Sequence, residues 1–225
     1  MESPPDNSNS KQIGPVPKAV IARLSLYLRE LQHWEREGKE TISSTQLGKL
    51  LGFTDAQVRK DFAYFGQFGY PGIGYRCAEL TQAIKVILGT DRSWPVALVG
   101  CGNLGQALLG YGGFSEQGFR IVAAFDSSPS RIGQSIAGVK IESIDSFLSL
   151  SKQLDIRMVL LAVPAAVAQE VADTLVGAGV TGILNFAPVT LRLPETVSRV
   201  GVDLARELEQ VTFAVANRLR TPGGP

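Results

Sequence analysis

Three glycines and one carboxylate form the constellation in this sequence best suited to ligand chemistry. Gly100, Gly102 and Gly105 stand in the string Gly100-Cys101-Gly102-Asn103-Leu104-Gly105, directly after the apolar run Val96-Ala97-Leu98-Val99. A G-x-G-x-x-G that leaves a buried strand and opens a helix can cradle a pyrophosphate. Its first glycine makes the tight turn, its second admits phosphate to the backbone, and its third lets the helix pack close to the strand. Amide groups at the helix start then face the anion. Asp126 ends the next apolar run, roughly 20 positions beyond Gly105, where a carboxylate accepts the adenosine ribose hydroxyls and repels a 2′-phosphate. The spacing therefore predicts NAD(H) rather than NADP(H), with Arg131 nearby weakening the discrimination. A glycine-rich turn that binds nothing, or one that binds coenzyme A, is the alternative on these residues. Pro164 and Asn185 follow later apolar runs and reach the same carboxyl edge of the expected sheet, where ligands bind; ordinary turn chemistry accounts for them equally well.

Acid–base groups are scarce. The chain has a single histidine, His33, far from the glycines, and after the glycine motif its only lysines are Lys140 and Lys152. Tyr111 follows the expected Rossmann helix but has no Lys or Ser partner in view. A dehydrogenase needs a tuned proton donor or acceptor beside the nicotinamide. The dinucleotide is accordingly expected to be bound rather than consumed, and no catalytic residue is assigned. An NAD-dependent oxidoreductase with a helical appendage is the alternative.

A second constellation lies upstream. Two helices at 46–51 and 55–65, joined by Gly52-Phe53-Thr54, have helix-turn-helix proportions. On the second of them Val58, Phe62 and Phe65 make an apolar stripe, and Lys60 projects almost opposite it, flanked by Gln57 and Arg59. Small neighbours Ala56 and Ala63 would let this face enter a major groove, where Lys or Arg reads guanine edges. Ser44 and Thr54 are expected to contact phosphate near helix N-termini. Four bases (Lys49, Arg59, Lys60, Arg76) against two acids (Asp55, Asp61) between positions 43 and 76 is a modest excess. A solvated helix face is the competing reading of these residues.

The elements that must position these groups follow from periodicity and punctuation. Residues 1 to about 15 read as a disordered tail. A helix from Pro17 to about Gly38 carries Val20, Ile21, Leu24, Tyr27, Leu28 and Leu31 on one face. The glycine-dense stretch 66–75 suits a tight β-hairpin, and 77–88 a further helix before a linker at 89–93. Strands at 95–100, 120–126, 140–142, 158–163 and 182–185 alternate with helices at 103–110, 144–151 and 165–178, the pattern of a parallel sheet covered on both faces. An extended stretch at 188–194 leads to a last helix, 203–220. The fold class is therefore α/β: a helical module at 16–88 (helix-turn-helix about 27–66), a doubly wound Rossmann domain at 94–200, and a terminal helix and tail at 201–225. The formal net charge of +1 rules out a globally basic nucleic-acid binder. Cys77 and Cys101 lack metal-ligand spacing and are expected to stay thiols in a reducing cytoplasm. No signal peptide, membrane span or metal site is expected.

The strings Ile42-Ser43-Ser44-Thr45-Gln46-Leu47-Gly48, Gln57-Val58-Arg59-Lys60-Asp61, Tyr64-Phe65-Gly66, Gly72-Ile73-Gly74-Tyr75, the glycine motif and 182–188 together resemble the Rex family of redox-sensing transcriptional repressors. The match runs in order from about Pro17 to Asn217. The resemblance implies a homodimer in which each subunit joins a winged-helix domain to an NAD(H)-binding Rossmann domain, with the helix from Asp203 swapped onto its partner. It further implies repression at palindromic operator DNA, relieved when NADH binds in competition with NAD+. It places Tyr111 near the nicotinamide and makes Arg23 and Asp203 an intersubunit pair that changes partners with redox state; from sequence alone the last two read as surface charges. Two positions depart from the family pattern. Tyr70-Pro71 occupies the place of a basic residue in the wing, and Leu204 that of an aromatic after Asp203.

Overall fold

The computed structural model describes residues 16–220, in two compact units that divide between Arg92 and Ser93. The tail expected before residue 16 lies outside the described residues, as do residues 221–225.

In the first unit, helix α1 (Lys18–Arg36) buries Val20, Leu24, Tyr27, Leu28 and Leu31. Ile21, expected on that face, lies at its margin and stays 37% exposed. Strand β1 (Thr41–Ile42) precedes helix α2 (Ser44–Leu51). A full capping box holds the start of α2, with the Ser43 hydroxyl accepting from the Gln46 amide and the Gln46 side chain accepting in return. Helix α3 (Asp55–Ala63) begins at Thr54, whose hydroxyl accepts from the Gln57 amide. It ends two residues before the expected Phe65, ahead of the left-handed Gly66. Phe62 packs on Tyr27 and Tyr75 with ring centroids 5.2 Å apart in each case.

The expected hairpin is narrower than its glycines suggested. Only Tyr70 and Gly74 pair across the turn. The outgoing arm, β2 (Tyr75–Arg76), instead pairs antiparallel with β1, matching Thr41 to Arg76 and Ile42 to Tyr75. β1 was not anticipated, since two residues carry no periodicity. Helix α4 (Cys77–Leu88) closes this unit.

The second unit holds the sheet. Its strands are β3 (Trp94–Val99), β4 (Phe119–Asp126), β5 (Ser135–Ile136), β6 (Val139–Ser143), β7 (Met158–Leu161), β8 (Gly182–Asn185) and β9 (Ser198–Gly201). The spatial order is β5-β6-β4-β3-β7-β8-β9, parallel except for the β5–β6 hairpin. Numbered along the chain, the six parallel strands run 3-2-1-4-5-6, the Rossmann order, which reverses between β3 and β7. Helices α5 (Asn103–Leu109), α6 (Gly113–Glu116), α7 (Phe147–Gln153) and α8 (Ala165–Gly177) connect them. The expected helix at 144–151 is a 3₁₀ turn over Ile144–Ser146 followed by α7. Ala97, Val99, Phe125, Val159, Leu161 and Ile183 fill one face of the sheet. Phe125 meets Phe147 edge to face at 5.0 Å, a contact worth about 0.5–1.5 kcal/mol beyond its burial. Strands β5 and β9 were not anticipated; every residue of β9 is exposed, so no alternation marks it.

The last helix, α9 (Leu204–Arg220), buries none of its residues, and Leu204, Leu208, Val211, Phe213 and Val215 all face outward. No described helix is long and apolar enough to cross a membrane.

Candidate functional site

The turn after β3 uses its three glycines for three separate reasons. Gly100 has φ 94°, and a Cβ there would fall 2.5 Å from the Ala162 carbonyl oxygen at the end of β7. A Cβ on Gly105 would collide with the Gly100 carbonyl oxygen, so α5 lies against the turn only because this residue has no side chain. Gly102 is different: a Cβ there would meet nothing within 4 Å. Two glycines are thus required by the chain itself. The third leaves open space above the backbone, as a phosphate would need.

Asp126 ends β4 beside this turn and is 7% exposed. Its Oδ2 accepts the Cys101 amide at 2.7 Å and its Oδ1 the Ser128 amide at 2.8 Å. Arg131 Nη1 stands 3.4 and 3.5 Å from the two oxygens. The carboxylate expected to face a ribose therefore also ties the glycine turn to the end of β4. An ionised carboxylate offers about four lone-pair sites; the two amides hold two of them firmly, and only the two long Arg131 contacts could give way to another donor. Arg131, anticipated only as a neighbour, is the carboxylate's own counter-charge.

Cys101 contributes backbone rather than thiol chemistry. Burial, with the Asp126 charge beside it, pushes its thiol up to about 11, and Sγ donates to the Phe125 carbonyl oxygen. Asn103 and Leu104 are exposed at the start of α5. Tyr111, just past α5, is 59% exposed with its ring edge to face with Phe114 at 5.0 Å. Pro164 is the residue before α8, next to Val163, whose Cγ1 lies 3.0 Å from where a Gly100 Cβ would stand. The ends of β3, β4 and β7 thus converge on one edge. Asn185 reaches that edge with its side chain engaged. Its amide donates to the Ala187 and Val189 carbonyls at 3.0 and 2.9 Å, and its Oδ1 accepts the Ala187 amide at 3.0 Å. It clamps the turn through Pro188 instead of presenting a free amide. Asp203 caps α9, accepting the Ala205 and Arg206 amides on one oxygen.

The helix-turn-helix face is less uniformly cationic than its sequence. Lys60 is exposed, with no ion pair to any described residue. Arg59, by contrast, donates to Asp55 at 2.7 Å and to the Ser44 hydroxyl at 3.1 Å. Thr54 is engaged as a cap, and the Gln57 amide donates to Asp61 at 2.7 Å. Gln57 consequently points toward the core side of α3, not beside Lys60 as expected.

Asp61 is the residue whose role sequence reasoning missed. It is fully buried and accepts Arg23 Nε and Nη2 at 2.6 and 2.8 Å, the Tyr27 hydroxyl at 2.8 Å, and Gln57. Burial pushes its carboxyl up, but the hydrogen bonds from Arg23, Tyr27 and Gln57 together outweigh burial and hold it below the ordinary range. The hydrogen bond to Asp61 raises Arg23 in turn, and burial raises Tyr27. Arg23 is therefore not a loose surface charge; it joins α1 to α3. An acid three positions after Val58 and next to Phe62, on an apolar stripe, was the available signal.

Two family models match the chain. One, described as "CoA binding domain", covers residues 91–189, and the other, "Putative DNA-binding protein N-terminus", covers residues 15–63. A protein of Roseiflexus sp. (strain RS-1) called redox-sensing transcriptional repressor Rex is 44% identical over 221 residues, spanning 98% of this chain and 95% of that protein. One of the same name from Desulfitobacterium hafniense is 46% identical over 203 residues, spanning 90% of this chain and 97% of that protein. Among solved structures, that of RSP with β-NAD+ and operator DNA superposes with a TM-score of 0.86 at 34% identity, covering 91% of this chain and 94% of that one. RSP with β-NADH gives 0.82 at 33% identity, covering 90% and 95%.

Proposed function

This chain belongs to the Rex family of redox-sensing transcriptional repressors, and from that premise we propose that it represses transcription from palindromic operator DNA and leaves it when NADH binds in place of NAD+. The observation that carries the reading is the pairing, in one chain, of an open glycine turn beside Asp126 with a helix-turn-helix whose Lys60 has no ion pair among the described residues.

NAD(H) fits the residues present. Gly100 and Gly105 are closed by backbone while Gly102 leaves a cradle that a Cβ would fill. Gly100 to Gly105 would hold the pyrophosphate, and Asp126 the adenosine ribose. Tyr111 and Pro164 would border the nicotinamide, with Asn185 holding the Pro188 turn in place. When bound, the nicotinamide supplies a redox state to be sensed. The relatives are named repressors, and we read the site as one that binds the dinucleotide without turning it over, in the cytoplasm where the DNA is. Coenzyme A, named by one family model, carries a 3′-phosphate on its ribose that the Asp126 carboxylate disfavours.

On the DNA side, Lys60 would read a base edge while Ser44, Thr54 and Arg59 lie along the backbone, Gln57 acting through Asp61. The outward apolar face of α9, Leu204, Leu208, Val211 and Val215, would be covered in a homodimer by exchange of this helix, with Arg23 and Asp203 brought into play between subunits.

The test is a titration. DNA selected by the protein from a random pool is labelled and bound, then NADH, NAD+ or coenzyme A is added. Release by NADH, opposed by NAD+, is expected. Binding indifferent to NADH, or release by coenzyme A alone, overturns the reading.

A further inference from the structure

The two arginines bordering the proposed DNA face are both held by carboxylates of their own unit. Arg59 Nη1 lies 2.7 Å from Asp55 Oδ2, one helical turn earlier on α3. Arg76 Nη1 lies 3.0 Å from Glu79 Oε1 across the junction of β2 and α4. The second pair has further support: the Tyr70 hydroxyl donates to the other Glu79 oxygen at 3.2 Å, and the Arg76 guanidinium lies 4.9 Å from the centre of the Tyr70 ring. Arg59 and the Tyr70 that contacts the second pair line one concavity of about 470 Å³, with Ser44 beside the first and Ile73 beside the second. Lys60 on the same unit has no such acid among the described residues.

Resting on the DNA-binding reading above, we propose that Asp55 and Glu79 attenuate DNA binding by holding Arg59 and Arg76 in pairs that must break before either arginine meets DNA. Non-specific binding is a sum over phosphates neutralised by free cations, with counterions released in proportion. An arginine paired with a carboxylate adds to that sum only after the pair breaks, and the carboxylate itself is repelled by passing phosphates. At a fitted site the arginine exchanges its carboxylate for a phosphate or base edge in fixed geometry, and that directed contact compensates for the broken pair.

The pairs are suited to exchange. All four side chains are between 43% and 56% exposed, and ion pairs so exposed are weak. Asp55 also sits in the first turn of α3, where the helix dipole favours its charge and fixes it near Arg59. The wing pair gives Tyr70 a purpose as well. Its ring and hydroxyl hold Arg76 and Glu79 together at the place where the chain has no other base.

The experiment uses the full-length protein and two duplexes, one selected from a random pool by the wild type and one of scrambled sequence. Asp55→Asn and Glu79→Gln are compared with Glu40→Gln, which removes an exposed charge of the same unit without freeing an arginine. Removing either carboxylate is expected to raise affinity at least about twofold on both duplexes, the worth of an exposed pair, with the gain shrinking as salt is added. Unchanged affinity on both duplexes, a gain indifferent to salt, or an equal gain with Glu40→Gln overturns the proposal. A wild type that selects no DNA overturns the DNA-binding reading instead. Because Asp55 also supports the start of α3, Glu79→Gln decides the matter if Asp55→Asn lowers Tm.

Discussion

Replacing Asp61 by Asn removes the charge from a buried side chain that receives four hydrogen bonds, two from Arg23 and one each from Tyr27 and Gln57. Breaking a buried pair by neutralising one partner costs about 3–5 kcal/mol, because the other charge is left uncompensated. Arg23 is 21% exposed and so recovers part of its hydration. Asn also retains an oxygen for the Tyr27 hydroxyl, which places the expected loss at about 2–3 kcal/mol. Tyr27→Phe, which leaves the ion pair in place, should lose only about 1 kcal/mol. Urea unfolding followed by Trp34 fluorescence in a Trp94→Phe background reports on this unit alone, since the chain has just these two tryptophans. The pH dependence has a definite sign. The folded carboxyl is held below its ordinary value, so its stabilisation is complete above the unfolded value of about 3.9 and is lost as pH falls through the folded value. The gap between wild type and Asp61→Asn should therefore be widest near neutral pH and close below about pH 4. Affinity for selected DNA should fall because α3 is no longer tied to α1. A gap below about 0.5 kcal/mol at pH 7, or one that does not shrink on acidification, would refute the reasoning.

Three further outcomes follow from the geometry. Gly102→Ala should leave Tm unchanged yet lower NADH affinity at least tenfold by calorimetry, because its Cβ enters only the ligand's space, whereas Gly105→Ala should lower both, its Cβ meeting the Gly100 carbonyl. Asp126→Ala should weaken NADH and reduce the rejection of NADPH in the same titration, and should lower stability by about 1–3 kcal/mol because the Cys101 and Ser128 amides lose their acceptor. Lys60→Ala should cost about 1–3 kcal/mol of discrimination between selected and scrambled DNA; an unchanged sequence preference would remove Lys60 from base reading.

The sheet was legible because its inner strands are continuous apolar runs buried on both faces, as β3 and β7 are. Its margins were not. Strand β9 is exposed at every position, β5 is two residues long, and β1 in the first unit is also two. Such edges are fixed by backbone pairing to a neighbour, which leaves no periodicity to read. The helix starts were readable for the opposite reason. Ser43 with Gln46, and Thr54 with the Gln57 amide, satisfy their donors within three residues, so the cap is written where it acts.

The same distinction separates the two candidate sites. At the glycine turn the constraint is on the backbone, and Gly100 and Gly105 are required by contacts that any strand–turn–helix would make. Residue type at a fixed spacing was therefore enough to find it, and only the bonds from Asp126 to the turn were unforeseen. On the helix-turn-helix the sequence offered a count, four bases against two acids, and the count misled in both directions. Asp61 is not part of the DNA face at all; it lies inside, held by residues 34 and 38 positions away. Asp55 is part of that face, but it neutralises Arg59, and Glu79, outside the counted stretch, does the same for Arg76. Charge along a helix says how many cations exist. Which of them are free to meet a phosphate depends on partners that only the folded unit brings within 3 Å, and among the described residues Lys49 and Lys60 have no such carboxylate while Arg59 and Arg76 do.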